Sequence, residues 1–316
     1  MRQVFIACGL AISAISCNGP EPLQVNARFV STCPTAAVKS SLVDDSRIEK
    51  LDLLLFRTSD GKLETRAASV GSSTIEITVP RDREMKWYMV ANAPEGLIPE
   101  CHNLEDFLND TVLLEDGFVM HDQGIFTFRE NGATVTASLS RYLCKVGIGS
   151  ITIDWADALP CSVETVALMN VQGSAPISGE PTDLPLRYNC GVIDSGLGAE
   201  LEGMLSARPC ITIESSSPAN IGVTLWCMPN PSDGNSYGLP WQNRRTRIAL
   251  CIKAQGLDNW YPIDLPPMEG NRYYLVDNIV IKGPGANAPD VKPERIPALF
   301  TIRVLDWEEE ITPAQF

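Results

Sequence analysis

The sequence predicts an all-β fold of antiparallel sandwiches, and three observations carry that prediction. Apolar and polar residues alternate with period 2 in many short runs, such as Leu23 to Val30, Tyr274 to Ile281 and Ala298 to Trp307. Clusters of Gly, Pro and Asn divide these runs at fairly even spacing, as turns divide the strands of a sandwich. In the first half, a single run, Leu104 to Leu114 behind Asn103 as N-cap, has a helix signature.

Taken in order, Leu23 to Val30 is a strand, and a polar linker from Ser31 to Asp45 follows it. Ile48 to Phe56 is a strand with a largely buried second half, and Asp60-Gly61 turns the chain as a hairpin does. Ser73 to Val79, Met85 to Asn92, Phe118 to Met120, Ile125 to Phe128 and Ala133 to Leu139 are further strands. A second unit begins near Ser140 with strands over Arg141 to Val146, Ile148 to Ile153 and Ser162 to Leu168. Gly173 to Ser217, rich in Gly, Pro and Ser, reads as loops with short strands or a helical turn. Asn220 to Met228 is a strand, Pro229 to Pro240 a surface loop, and Arg247 to Ala254 with Trp260 to Leu265 a hairpin over Gln255 to Asp258. The chain closes on two half-buried strands separated by Gly283 to Pro289, and then a short tail. A terminal strand with a free edge pairs either at home or with a neighbour.

At 316 residues and 44% apolar, the chain has the length of roughly two domains. The expected division is a leader over residues 1–16, a first sandwich over 17–139 and a second over 140–316. The leader has a positive Arg2, an apolar run from Val4 to Ile15, and small residues before Cys17, which is the pattern of a secretory signal. Ala14-Ile15-Ser16-Cys17 resembles a bacterial lipobox, so Cys17 is the expected lipidation site and the membrane anchor of a precursor.

The search for chemistry finds no catalytic constellation. A net charge of −14 argues against nucleic acid as a partner. The two histidines, His102 and His121, stand near no nucleophile motif and read as surface or satisfied side chains. Beyond Cys8 and Cys17, eight cysteines are spread with no metal-ligand or redox spacing, so between none and two disulfides are expected. Asp44-Asp45 and Glu308-Glu309-Glu310 read as solvated acidic loops, and Gly283-Pro284-Gly285 reads as a turn. Most tryptophans fall in predicted strands, where core packing is the default. Trp241 and Trp260, near loops, are candidates for a glycan platform. No cofactor, no metal and no enzymatic activity are expected.

The order of several short motifs resembles the FimA-type fimbrillins of Bacteroidales, the type V pilins, from end to end. These are Ser41 to Leu51, Tyr88-Met-Val-Ala-Asn-Ala-Pro94, Gly117-Phe-Val-Met120, Leu139-Ser-Arg-Tyr-Leu-Cys-Lys-Val146, and Asn271-Arg-Tyr-Tyr274 followed by Ile281-Lys-Gly-Pro-Gly285, Pro289 and Trp307. The resemblance implies two transthyretin-like, Greek-key β-sandwich domains exported as an outer-membrane lipoprotein precursor. It implies that a trypsin-like protease removes the first strand, with Leu23, Val25, Ala27 and Phe29, and that another subunit's terminal strand refills the groove. Here the tail residues Ile311, Ala314 and Phe316 form the candidate donor strand. The partners implied are other fimbrial subunits, and the role is a fimbria that contributes to adhesion. The family's cleaved Arg aligns near Ala37, where this chain has none, so Lys39 and Arg47 are the candidate cleavage positions. An uncut subunit suits a fimbrial anchor or accessory lipoprotein. The alternative class is a surface lipoprotein that binds glycan or peptide through loops around Trp241.

Overall fold

The computed structural model describes residues 23–33, 47–98, 101–180, 187–188, 199–234, 244–292 and 297–307. Cys17, Lys39, Trp241, Ile311, Ala314, Phe316 and the leader lie outside these described residues. The first part of the chain runs β1 (Gln24–Thr32), β2 (Lys50–Arg57), β3 (Leu63–Val70), β4 (Thr74–Pro80), β5 (Glu84–Ala91), α1 (Leu104–Leu108), β6 (Thr111–Leu113), β7 (Met120–Thr127), β8 (Ala133–Ser138) and β9 (Ser140–Arg141). It continues with β10 (Cys144–Ile153), β11 (Cys161–Met169), β12 (Val171–Gln172), β13 (Ser174–Pro176), β14 (Arg187–Tyr188), α2 (Ala199–Leu205), β15 (Ser206–Ala207) and β16 (Ile211–Ile213). The closing elements are β17 (Ala219–Cys227), β18 (Arg247–Ala254), β19 (Leu257–Asp264), β20 (Arg272–Ile281) and β21 (Ala298–Asp306).

Two sheets of the first part, β4-β1-β8 and β3-β2-β5-β7-β9, share one apolar cluster built on Phe29, Leu51, Leu53, Leu55, Trp87, Met89 and Phe128. The other face of the larger sheet, through Leu54, Phe56, Tyr88 and Val90, joins a second cluster with Phe107 of α1. That cluster continues through the sheets β17-β10-β20-β21 and β15-β11-β18-β19. A strand covered on both faces has no solvent side to mark by alternation, which is why β2 reads Leu-Asp-Leu-Leu-Leu-Phe. Its one buried charge, Asp52, has an ion pair to Lys50 at 2.9 Å and lies 3.8 Å from Arg66.

The all-β reading holds, and most pairings are antiparallel. Two are parallel, β1 with β8 and β10 with β20, because period-2 alternation fixes a face but not a strand direction. The helix is shorter than expected. Asn103 does cap it, its Oδ1 accepting from the Asp106 N–H at 2.9 Å, but it ends at Leu108. Thr111-Val112 then leaves the helix and pairs with β13, where β-branched residues fit a pleated strand. β7 takes in only Met120 of the Phe118 to Met120 run and Ile125 to Thr127 of the next, and most of the two runs after Arg141 merge into β10. Within β10, Gly149 leaves room for the Asp277 carboxylate, which accepts from the Ser150 N–H at 2.8 Å. The β18–β19 hairpin turns on Gln255-Gly256 alone, both with positive φ (52° and 77°), the backbone of a tight two-residue turn. β3, half exposed and weakly alternating, is absent from the sequence reading. The closing strand β21 pairs with β20 along one edge and is more exposed than the half-buried strand expected, with Leu299, Phe300 and Val304 at 50%, 41% and 53%.

Candidate functional site: the seat of the first strand and the node at its end

β1 occupies the centre of its sheet. Along one edge it pairs antiparallel with β4, from Gln24 opposite Pro80 to Val30 opposite Thr74. Along the other it pairs in parallel with β8, from Ala27 beside Ala133 to Thr32 beside Ser138. β4 and β8 are joined only through β1 in that sheet, so its backbone groups satisfy the edges of both. Two further bonds hold its ends, from the Arg81 N–H to the Leu23 carbonyl at 2.6 Å and from the Leu139 N–H to the Thr32 carbonyl at 2.8 Å.

Alternation sets what β1 buries. Val25, Ala27 and Phe29 are buried, while Gln24, Asn26 and Arg28 face solvent. The Phe29 ring lies 6.0 Å from both Trp87 and Phe128, edge-on to the first. Trp87 in turn packs over Gly124, where a Cβ would come within 2.7 Å of its ring. Leu23 has the same parity but is 71% exposed, because it lies beyond the end of the pairing with β4. It belongs to the entry of the strand and not to its buried face.

Cys33, just past β1, reaches a node that joins distant parts of the chain. Its sulfur lies 3.4 Å from the Met120 sulfur and 3.5 Å from Arg141 Nη2. The Arg141 side chain is buried, and its Nη1 donates to Asn271 Oδ1 at 3.3 Å. The same oxygen accepts from the Arg141 backbone N–H at 3.2 Å. Asn271 holds this position at φ 57°, a backbone that Asn tolerates. The Arg141 guanidinium stacks over the buried Trp307 ring at 4.9 Å, a cation–π contact. Arg272 pairs with Asp306 beside it. A cavity of about 550 Å³ opens next to the node, lined by His121, Arg141, Tyr142, Asn271, Arg272 and Asp306 among others. His121 stacks on Tyr142 with ring centroids 4.3 Å apart, and burial pushes its pKa down to about 4. The histidine is therefore a neutral ring at neutral pH, stacked on Tyr142.

Of the two candidate cleavage positions, Arg47 is described. Its side chain is exposed and ion-paired with Glu49 at 3.5 Å. Its carbonyl, however, accepts from Asn92 Nδ2 at 2.7 Å, and Asn92 Oδ1 accepts from the Glu49 N–H at 2.8 Å. Asn92, at φ 59°, closes the Val-Ala-Asn strand end and clamps the chain where it enters β2. A protease must take that same carbonyl into its oxyanion site, so the clamp opposes cleavage after Arg47. The sequence marked Arg141, Asn271 and Trp307 separately, and the fold brings all three together. The sequence also marked Met120 and Asn92 in motifs of their own, and it left Cys33 outside every motif.

Among the described residues, no group of three or more His, Cys, Asp or Glu could hold a metal ion, and no helix is long and apolar enough to cross a membrane. Trp260 lies in β19, and its backbone pairs with Ala286 where Gly285 lets the loop approach closely. This backbone contact gives Trp260 a structural place. No family model matches the sequence, and no curated protein matches it. Solved structures do. A candidate cell adhesion protein from Bacteroides eggerthii superposes with TM-score 0.65 at 15% identity, over 91% of this chain and 96% of that one. A fimbrilin, FimA, from Porphyromonas gingivalis gives TM-score 0.65 at 14% identity, over 90% and 97%. The C-terminally truncated tip fimbrial protein Mfa3 from the same organism gives 0.53 at 13%, over 90% and 100%. At this identity the likeness is one of architecture, and it runs nearly the full length of each chain: the protein has the fold of the Bacteroidales fimbrillins and their adhesion-protein neighbours.

Proposed function

We propose that this chain is a structural subunit of a cell-surface fimbria, with no enzymatic activity, that assembles by losing β1 and accepting a strand from another subunit. The observation that carries the reading is the seat of β1. It is a core strand paired on both edges, at the chain's start, joined to β2 through a segment that contains Lys39. Removing such a strand opens an apolar groove and two unpaired edges, and an added strand satisfies both. The fold shared with FimA and Mfa3 supports a fimbrial setting and a contribution to adhesion.

In this reading the chain forms two sandwich domains, 17–139 and 140–316, and is exported behind residues 1–16. It is lipidated at Cys17, held at the outer membrane, and cut by a trypsin-like protease. The donor is the tail after Trp307, through Ile311, Ala314 and Phe316. Its partners are other fimbrial subunits. The clamp on the Arg47 carbonyl and the lack of an Arg near Ala37 favour cleavage at Lys39, and they also favour a second reading, an uncut anchor or accessory subunit.

Limited trypsin digestion of the full chain followed by light scattering tests this. The expected result is loss of a fragment ending at Lys39 and slow growth of polymers, abolished when residues 311–316 are deleted. A trimmed protein that unfolds without assembling overturns strand exchange. A surface protein whose first residue is a lipidated Cys17 supports the anchor.

A further inference from the structure

We propose that Cys144 and Cys227 are a disulfide site, closed as the chain folds in an oxidising compartment. The two residues stand directly opposite each other in the antiparallel pairing of β10 with β17. Directly opposed residues in such a ladder have Cα atoms about 4.5 or 5.5 Å apart, and both spacings fall within the range a disulfide spans. Both side chains point to the same core and are fully buried, at 0% exposure. The Cys144 thiol donates to the Glu269 carbonyl at 2.9 Å. Burial and the adjacent Cys227 thiol hold Cys144 well above the ordinary thiol range.

No other described cysteine has this placement. Cys161 stands opposite Ala254 and Ile213, and Cys251 opposite Thr165 and Trp260. Both Cys144 and Cys227 are reduced in the structure described above. In the native fold they are inaccessible, and the raised pKa leaves little thiolate to react. Oxidation therefore belongs to the folding chain, when β10 and β17 first pair. The donor is a disulfide, of a small molecule or a protein. One thiolate attacks it to give a mixed disulfide and one free thiol, and the second thiolate displaces the other donor sulfur. Two S–H bonds and one donor S–S bond are exchanged for one S–S bond and two donor thiols, so electrons and protons balance. The resulting bridge fixes β10 to β17 and closes a loop over residues 144–227. The inference rests on the proposed export of the chain and not on its assembly into a fimbria.

The test uses the full chain recovered from the envelope of an exporting bacterial host. The protein is denatured in acid and its free thiols are blocked with N-ethylmaleimide. It is then reduced, and the newly exposed thiols are labelled with iodoacetamide. Trypsin with a Glu-specific protease places Cys144 in Tyr142–Lys145 and separates Cys227 from Cys210 by cutting after Glu214. The expected result is iodoacetamide label on Cys144 and Cys227, a linked peptide pair before reduction, and a mass about 2 Da below that of the reduced chain. In C144A, Cys227 is expected to move to the N-ethylmaleimide pool. N-ethylmaleimide on both cysteines in the unmodified chain overturns the proposal. So does a Cys227 that stays protected in C144A, which assigns its partner elsewhere. The decisive reading is made on the unmodified chain, so a poorly folding variant does not weaken it.

Discussion

Replacing Phe29 with Ala tests whether the buried face of β1 holds the strand in its seat. Phe29 is fully buried, with its ring 6.0 Å from Trp87 and from Phe128. Truncating a buried Phe to Ala costs about 3–5 kcal/mol in lost transfer and cavity terms. In the intact chain that cost appears as lower global stability. If a specific protease site is placed in the segment between β1 and β2 and then cut, the same cost falls on the affinity of a non-covalent strand. At about 1.4 kcal/mol per tenfold, the freed strand should leave roughly 10²- to several 10³-fold faster than the unmodified one. Anisotropy of a fluorophore on the N-terminal fragment reads the release directly. R28A, on the solvent face of the same strand, is the control and should leave the rate within about threefold. An F29A strand that stays as long as the unmodified one refutes the reasoning. An R28A strand that leaves as fast as F29A refutes it too, since alternation would then not be what seats the strand.

Asn92→Gly keeps the positive φ but removes the amide that binds the Arg47 carbonyl, so trypsin should cut after Arg47 about tenfold faster, as followed by mass spectrometry of the fragments. His121→Phe concerns acid stability: the folded pKa of about 4 lies below the ordinary 6.5, so between those values the unfolded chain binds the extra proton and native stability falls as pH falls. The unmodified protein should lose about 3 kcal/mol relative to H121F between pH 7 and pH 4 in urea unfolding. Taking the difference between the two proteins removes the opposing contribution of Asp110 and Asp122, whose raised pKa values stabilise the fold as pH falls; equal slopes would reject the buried neutral histidine. Trp307→Ala should lower stability by about 3–5 kcal/mol, and Trp307→Phe, which keeps a ring under Arg141, by clearly less, measured by denaturant unfolding.

The strands were legible where one face is dry and the other wet. β1 and β18 lie where the alternation or apolar run put them, because burial is the property that periodicity reports. β3 escaped because its faces differ little in exposure, and the Leu104 helix was overextended because Thr111-Val112 finds a strand partner sixty-odd residues away in β13. Such pairing is tertiary, and a local pattern carries no trace of it. The last strand, whose pairing the sequence left open between home and a neighbour, joins β20 along one edge, and its exposure was underestimated, because alternation records a contrast between faces and not how deeply either is covered.

The node at the end of β1 marks the boundary of what a sequence reading can reach. Cys33 and Arg141 are 108 residues apart, and Arg141 and Asn271 are 130 apart. Three pairings close those distances. β7 with β9 sets Met120 opposite Arg141, parallel β10 with β20 sets Lys145 beside Tyr273, and β20 with β21 sets Arg272 opposite Asp306. Asn271 and Trp307, each one residue beyond the last pair, are thereby delivered to the same guanidinium. The parallel register is indispensable, since an antiparallel β10–β20 pair would send Asn271 to the far end of β10. Arg141 consequently touches both Cys33, where β1 ends, and Trp307, where the chain leaves β21. On the proposed strand exchange, departure of β1 together with Cys33 would remove a sulfur contact of a buried guanidinium that also holds Asn271 and Trp307.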